Sequence, residues 1–425
     1  MSAETFAAEL PGPEMMDPER YARDGYPHDT WTRLRRESPV HRYEDFDYPF
    51  WILSRRAEIV EVSRQPDRFT NHPRFQIVVG SDYASEDERE PETIIHMDPP
   101  RHRLYRDLLS RRFTPRALAP LESHVEEIMR DLIDDLAASG GTGDEGVCDF
   151  VDKIAVPLPM AVIASLLEVP RADWTQLFHW TNAVVAPAEP AYRLGEETAH
   201  ETRLRASNEL YNYFAALALE RQGGTGDDLV TVLANAEVGG ERLSHHELVS
   251  YYLLLVAAGN ETTRNAISGG LLAFLGAQDQ WRSLQAEPMK ARRASEEVLR
   301  WTTPVVQMAR TAAIDTEIAG QKIAKGDTLA LFYASANRDE RVFEDPFSFR
   351  IDRHPNPHLS LGIGEHFCMG AHLARLEIRV VFKMLAERFA DMELAGPAER
   401  LASCNVGGLK SLPIRYRLNQ NQGRV

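Results

Sequence analysis

Ser244, with Glu247 three residues on, carries the capping-box signature of a helix that starts near residue 245. The pattern it opens runs to about residue 276 and constrains the fold more than any other stretch. A helix of about 30 residues at about 1.5 Å each spans ~45 Å, enough to cross a whole globular molecule. The segment is apolar nearly all round at Tyr251–Ala258 and again at Ile267–Leu275, which implies burial in a core. Its middle, Gly259-Asn260-Glu261-Thr262-Thr263-Arg264, is polar. Polar groups inside a buried helix are costly unless they are paired or used.

The remaining patterns predict a mainly α fold with a smaller β-rich part. Residues 20–100 mix short β-like runs (Trp51-Ile52-Leu53 and Phe75-Gln76-Ile77-Val78-Val79) with polar turns. From 100 to 300 the period is mostly helical, as in 121–137. From 304 to 333 it shortens toward strands, with turn chemistry at Gly320 and at Lys325-Gly326. A last helix is expected over about 369–390, with Leu373, Leu376, Val380 and Met384 on one face. The breaker-rich stretches 139–146, 222–228 and 355–357 read as surface loops, not as linkers between domains. The expected division is a flexible segment over 1–19 and one catalytic domain over 20–425. Its helical part takes in about 100–300 and 334–390, and its β-rich part 20–100, 304–333 and the tail.

Charge and cysteine usage narrow the function classes. A net charge of -16 argues against nucleic-acid or anionic-membrane binding. Three cysteines, Cys148, Cys368 and Cys404, cannot make a disulfide framework, and no pair has metal-ligand spacing. A reducing, cytoplasmic setting is expected. The first residues show no signal-peptide pattern, and no apolar run is long enough for a membrane span. The positive charge is clustered: Arg101, Arg103, Arg106, Arg111, Arg112 and Arg116 fall within sixteen residues that contain one acid, Asp107.

The richest stretch in chemistry is 358–377, HLSLGIGEHFCMGAHLARLE. Gly362 and Gly364 permit a tight, non-standard turn. Cys368 follows where the helical pattern begins, and a helix N-terminus favours a thiolate. Gly370 would let something flat approach the backbone, and His366 can donate a hydrogen bond. Three readings stay open on spacing alone: a nucleophilic cysteine with His366 as base, a thiolate metal ligand, and a buried structural cysteine.

This segment resembles the haem-binding loop of the cytochrome P450 family, whose pattern is Phe-Gly-x-Gly-x-His-x-Cys-x-Gly. Here it reads Leu361, Gly362, Gly364, His366, Cys368, Gly370, and only Leu361 departs from it. Further family motifs follow in order. Ala258-Gly259-Asn260-Glu261-Thr262-Thr263 resembles the acid–alcohol motif at the kink of the long central helix. Glu297-Val298-Leu299-Arg300 resembles the Glu-x-x-Arg pair, and the stretch from Asn337 to Pro346 resembles the region that supplies its third member. His96-Met97-Asp98-Pro99-Pro100-Arg101-His102 resembles the approach to the helix with the His-x-x-x-Arg haem contact.

The resemblance implies the family's fold, a haem b cofactor, and a monooxygenase that inserts one atom of dioxygen into a lipophilic molecule such as a steroid, terpenoid or branched lipid. By the same resemblance Cys368 is the axial ligand, and Thr262 and Glu261 deliver protons. His102, Arg106, Arg310 and His366 meet the haem propionates, and Gly370 borders the ring. Glu297, Arg300 and Arg353 lock the cysteine loop. Leu254, Ala257, Ala258, Val305 and Val306 line the substrate pocket. The short stretch after Cys368 leaves no room for a fused reductase, so electrons are expected from a ferredoxin docking on the arginine cluster. Three rivals remain: a haem-thiolate peroxygenase using hydrogen peroxide, a non-catalytic haem-binding protein, and a cysteine hydrolase without haem.

Overall fold

A computed structural model describes residues 13–77, 93–139, 145–185 and 192–419. Four helices position the site: α1 (Arg101–Ser110), α2 (His245–Gly276), α3 (Ala291–Thr302) and α4 (Ala371–Arg388). The capping box of α2 closes in both halves. Ser244 Oγ accepts from the Glu247 N–H at 3.2 Å, and Glu247 Oε2 accepts from the Ser244 N–H at 2.9 Å. The helix then runs 32 residues without a break. It packs against α3, α4 and the helices Pro157–Leu166 and Ala199–Arg221, so its apolar residues enter one large cluster with theirs.

A five-stranded sheet stands beside this helical body. Its strands are β1 (Val40–Tyr43), β2 (Phe50–Leu53), β3 (Phe69–Thr70), β4 (Gln307–Ala312) and β5 (Thr328–Phe332), in the order β1-β2-β5-β4-β3. β5 runs parallel to β2 and antiparallel to β4, with Ala330 opposite both Ile52 and Ala309. Successive residues face opposite ways along a strand. Ile52, Ala309, Ala330 and Phe332 therefore pack in one apolar cluster, and Trp51, Leu53, Leu329 and Leu331 in another. Burial on both faces explains why Thr328–Phe332 reads as one apolar run.

The structure departs from the sequence reading in three places. Residues 20–100 are not mainly β: helices Pro18–Asp24, His28–Glu37 and Arg56–Ser63 lie there or overlap it. They are short, and tertiary burial of Trp31, Leu34, Ile59 and Val62 holds them more than propensity does. Phe75–Ile77 is irregular, although the Phe75 carbonyl accepts from the Ala309 N–H at 2.6 Å; Val78 and Val79 lie outside the described residues. Residues 13–19, expected to be flexible, are tied down. Asp17 caps the helix Pro18–Asp24, and Met15 and Met16 are buried against the sheet. Finally, Glu145–Asp149, at the edge of a predicted loop, forms a strand on Pro413–Leu418, which also pairs with Phe389–Leu394. Among the described residues no helix is long and apolar enough to cross a membrane.

Candidate functional site

The chain between Leu361 and Cys368 folds back on itself, and the Cys368 N–H donates to the Leu361 carbonyl at 2.8 Å. Gly362 (φ +69°) and Gly364 (φ +80°) take left-handed conformations that a side chain would strain. At Gly364 an added Cβ would also collide with the Ser63 carbonyl oxygen, so the loop rests directly on the helix Arg56–Ser63. Gly370 caps α4, and its N–H donates to the Cys368 thiol. The expected thiolate-favouring helix start is only part of the balance. Cys368 keeps open surface; desolvation by the surrounding protein raises its thiol, and the Gly370 N–H, Arg106 and Arg375 pull the other way. A metal ion bound by such a thiol would hold it as the thiolate.

Helix α1 brings His102 and Arg106 to this loop. Arg106 Nη2 donates to the Phe367 carbonyl at 2.6 Å, and the His102 and His366 rings lie 4.1 Å apart. His102 Nδ1 and His366 Nε2 are buried and make no hydrogen bond, although His102 Nδ1 is 3.5 Å from Glu365 Oε1. Burial, then Arg310 and the neighbouring His102 and Arg106, holds His366 down at about 2. Burial and Arg106 also lower His102, against Glu365. Both rings therefore keep a nitrogen free to bond to a further group. Arg310, on β4, is 5% exposed and donates to the Ala309 carbonyl at 2.7 Å. Among the described residues no carboxylate pairs with it, and burial lowers its pKa. Two unpaired buried imidazole nitrogens and two guanidiniums beside a thiol are a donor set that fits a metal ring carrying two carboxylates.

The polar centre of α2 shows a different economy. Thr262 Oγ1 donates to the Ala258 carbonyl one turn back at 2.9 Å. Glu261 Oε1 meets Arg264 Nη2 at 3.3 Å; burial raises the Glu261 carboxyl and Arg264 opposes it. Next to this turn Ala257 and Ala258 keep open surface, although Leu255 and Val256 before them are buried. Leu254 is half-buried, as is Val305, which bridges to Val406. Val306 does not line an open face: it precedes β4, its N–H donates to the Asn405 carbonyl at 2.8 Å, and it is fully buried in the apolar cluster that holds Met15, Phe332 and Cys404.

Glu297, Arg300 and Arg353 come together. Arg300 grips Glu297 through Nε (2.8 Å) and Nη2 (2.7 Å), and Arg353 Nε reaches Glu297 Oε2 at 3.2 Å. Two partners outside the family pattern complete the carboxylate: the Arg350 N–H at 2.8 Å and Asn356 Nδ2 at 3.1 Å. A buried charge cluster is tolerable when all its members are satisfied. Sequence reasoning also missed Glu365, which Arg103 holds at 2.6 and 3.0 Å, and Glu296, which joins Arg375 (2.7 Å) to His358 (3.2 Å). No local spacing signals pairs so far apart in the chain.

A family model described as Cytochrome P450 matches residues 11–395. A methyl-branched lipid omega-hydroxylase of Mycobacterium tuberculosis is 38% identical over 93% of this chain and 91% of its own length. A steroid C26-monooxygenase of Mycobacterium bovis is 36% identical over 96% of this chain and 93% of its own. Among solved structures, a cytochrome of Novosphingobium aromaticivorans superposes with a TM-score of 0.86 at 34% identity, covering 96% of this chain and 99% of that one. A Mycobacterium marinum cytochrome P450 in complex with pseudoionone gives 0.82 at 35% identity, covering 91% and 94%. Matches of this extent across fold and sequence show that the chain belongs to the cytochrome P450 family and is a haem b monooxygenase.

Proposed function

We propose that this enzyme hydroxylates or epoxidises a lipophilic molecule of the steroid, terpenoid or branched-lipid class, with electrons from a ferredoxin. The observation that carries the substrate class is the opening in α2. In the middle of a largely buried helix, Ala257 and Ala258 present small, open, apolar surface about one turn from Thr262. Small residues leave room for a bulky skeleton, and apolar burial holds it. Two relatives named for methyl-branched lipids and steroids support the same class.

In this reading Cys368 would hold the haem iron through its thiolate. His102, Arg106, Arg310 and His366 hold the propionates with the donors described above. The haem, when bound, supplies the oxygen chemistry: substrate, dioxygen, two electrons and two protons become oxygenated substrate and water. Glu261 passes protons inward from solvent, and the Thr262 hydroxyl holds the last of them near the substrate. Glu297, Arg300 and Arg353 keep the cysteine loop in place, and Leu254, Ala257, Ala258 and Val305 border the substrate.

The test is a spectral binding screen of the haem protein over steroids, terpenes and branched fatty acids. Apolar ligands should shift the Soret band with micromolar affinity. Ala257→Phe should weaken the large ones about tenfold or more and spare small ones, as overpacking does. Tight binding confined to small polar compounds would sink the proposal.

A further inference from the structure

The chain contains two Glu–Arg pairs at the same spacing on buried helices, and they behave differently. Glu297 and Arg300 are joined by two short bonds, at 2.7 and 2.8 Å, with both side chains fully buried and both oxygens satisfied. Glu261 and Arg264 share one contact, at 3.3 Å, longer than the usual charge-assisted bond. The second oxygen, Glu261 Oε2, has no hydrogen-bond partner among the described residues, and the side chain keeps 19% of its surface. Arg264 is itself held loosely, with Nε 3.4 Å from Asn265 Oδ1. A clamp that only needed to stabilise the helix would resemble the first pair.

We propose that Arg264 is a positioning residue for oxygen activation: it holds Glu261 by one oxygen, turned along the helix, and leaves the other oxygen free to exchange a proton. This rests on the relay reading of Glu261 above. The physical need is plain. Burial favours the neutral form of Glu261, and a carboxyl that never ionises cannot accept a proton from solvent. Among the described residues Arg264 is the cation paired with Glu261, and it opposes the effect of burial on that carboxyl. A tighter, bidentate grip would favour the ion too strongly and occupy both oxygens.

The experiment follows the carboxyl infrared band of the ferric haem protein that disappears in Glu261→Gln. In Arg264→Gln the titration of that band should move up by about one pH unit or more. Hydrogen peroxide released per reducing equivalent should rise about threefold at neutral pH. Arg264→Lys, which keeps the charge, should fall between the two proteins. If Arg264→Gln does not take up haem, Arg264→Met, of similar length and without charge, makes the same comparison. A band that titrates as in the wild type overturns the role of Arg264 while Glu261→Gln still uncouples the enzyme. Unchanged coupling in Glu261→Gln overturns the relay itself, and this proposal with it.

Discussion

Cys368 differs from the other two cysteines in its surroundings more than in its neighbours along the chain. Cys148 lies in a strand opposite Ile414, and Cys404 in the sheet core; burial pushes both thiols up to about 12. Neither stands at a helix start beside the His102, Arg106 and His366 donors as Cys368 does. Cys368→Ala should therefore abolish the red-shifted carbonyl spectrum of the reduced protein, and Cys148→Ala and Cys404→Ala should keep it. Loss of the band in either of the latter would move the ligand assignment. Thr262→Ala removes the hydroxyl that bonds to the Ala258 carbonyl but leaves the helix ladder intact. Haem and ligand affinity should stay within about twofold, while hydrogen peroxide release rises severalfold. A coupled mutant would deny the hydroxyl its role. At this scale the sequence was most legible where a residue type and a short spacing state a chemical need, as in Gly362, Gly364 and Cys368. Val306, expected on the pocket, is buried instead in a cluster with Met15 and Cys404, residues so far along the chain that no local pattern announces them.

Helix α3 works as the brace behind the cysteine loop. Glu297 gathers Arg300, Arg353, Asn356 and the Arg350 N–H, and one position before it Glu296 binds Arg375 on α4 and His358 just ahead of the loop. Burial raises the Glu296 carboxyl, but His358 and Arg375 outweigh it and bring it down to about 2 from an ordinary value near 4.5. A folded pKa below the unfolded one gives stability that is present above about 4.5 and is lost as pH falls toward 2. After discounting for partial exposure, the wild type should lose on the order of 1–2 kcal/mol through this group on acidification. Glu296→Gln should be less stable at neutral pH and flatter across the acid window in guanidinium midpoints. Parallel curves for the two proteins would show the cluster to be inert. Among the elements, α2 was readable to the residue because its cap is written in two side chains. The helices Pro18–Asp24, His28–Glu37 and Arg56–Ser63 were not, since so few turns give no clear period and their stability comes from what they cover.

Across the molecule, the arginine cluster is less free than its count suggests. Arg101 pairs with Glu247, Arg103 with Glu365 and Arg112 with Asp227, while Arg106 reaches the Phe367 carbonyl. That leaves Arg111 and Arg116, both exposed and without ion pairs among the described residues, as steering charges for an acidic donor. Arg111→Glu with Arg116→Glu should slow reduction by an acidic plant-type ferredoxin about tenfold at low salt and flatten its salt dependence. Peroxide-driven turnover, which bypasses the donor, should not change. Equal loss by both routes would assign these arginines to the fold.

The closing strands have a consequence for how the protein is made. Pro413–Leu418 pairs with Glu145–Asp149, the Tyr416 hydroxyl donates to the Leu136 carbonyl at 3.0 Å, and Cys404 packs on Met15 and Met16. Neither the first helices nor the middle of the chain can finish burying their apolar faces until the last strand has left the ribosome. Contacts of such long range fold slowly and leave sticky surface waiting. Nascent chains of this protein should therefore keep apolar surface open through most of their synthesis, and a chain truncated before Pro413 should be cleaved by protease more readily than one that includes Pro413–Leu418.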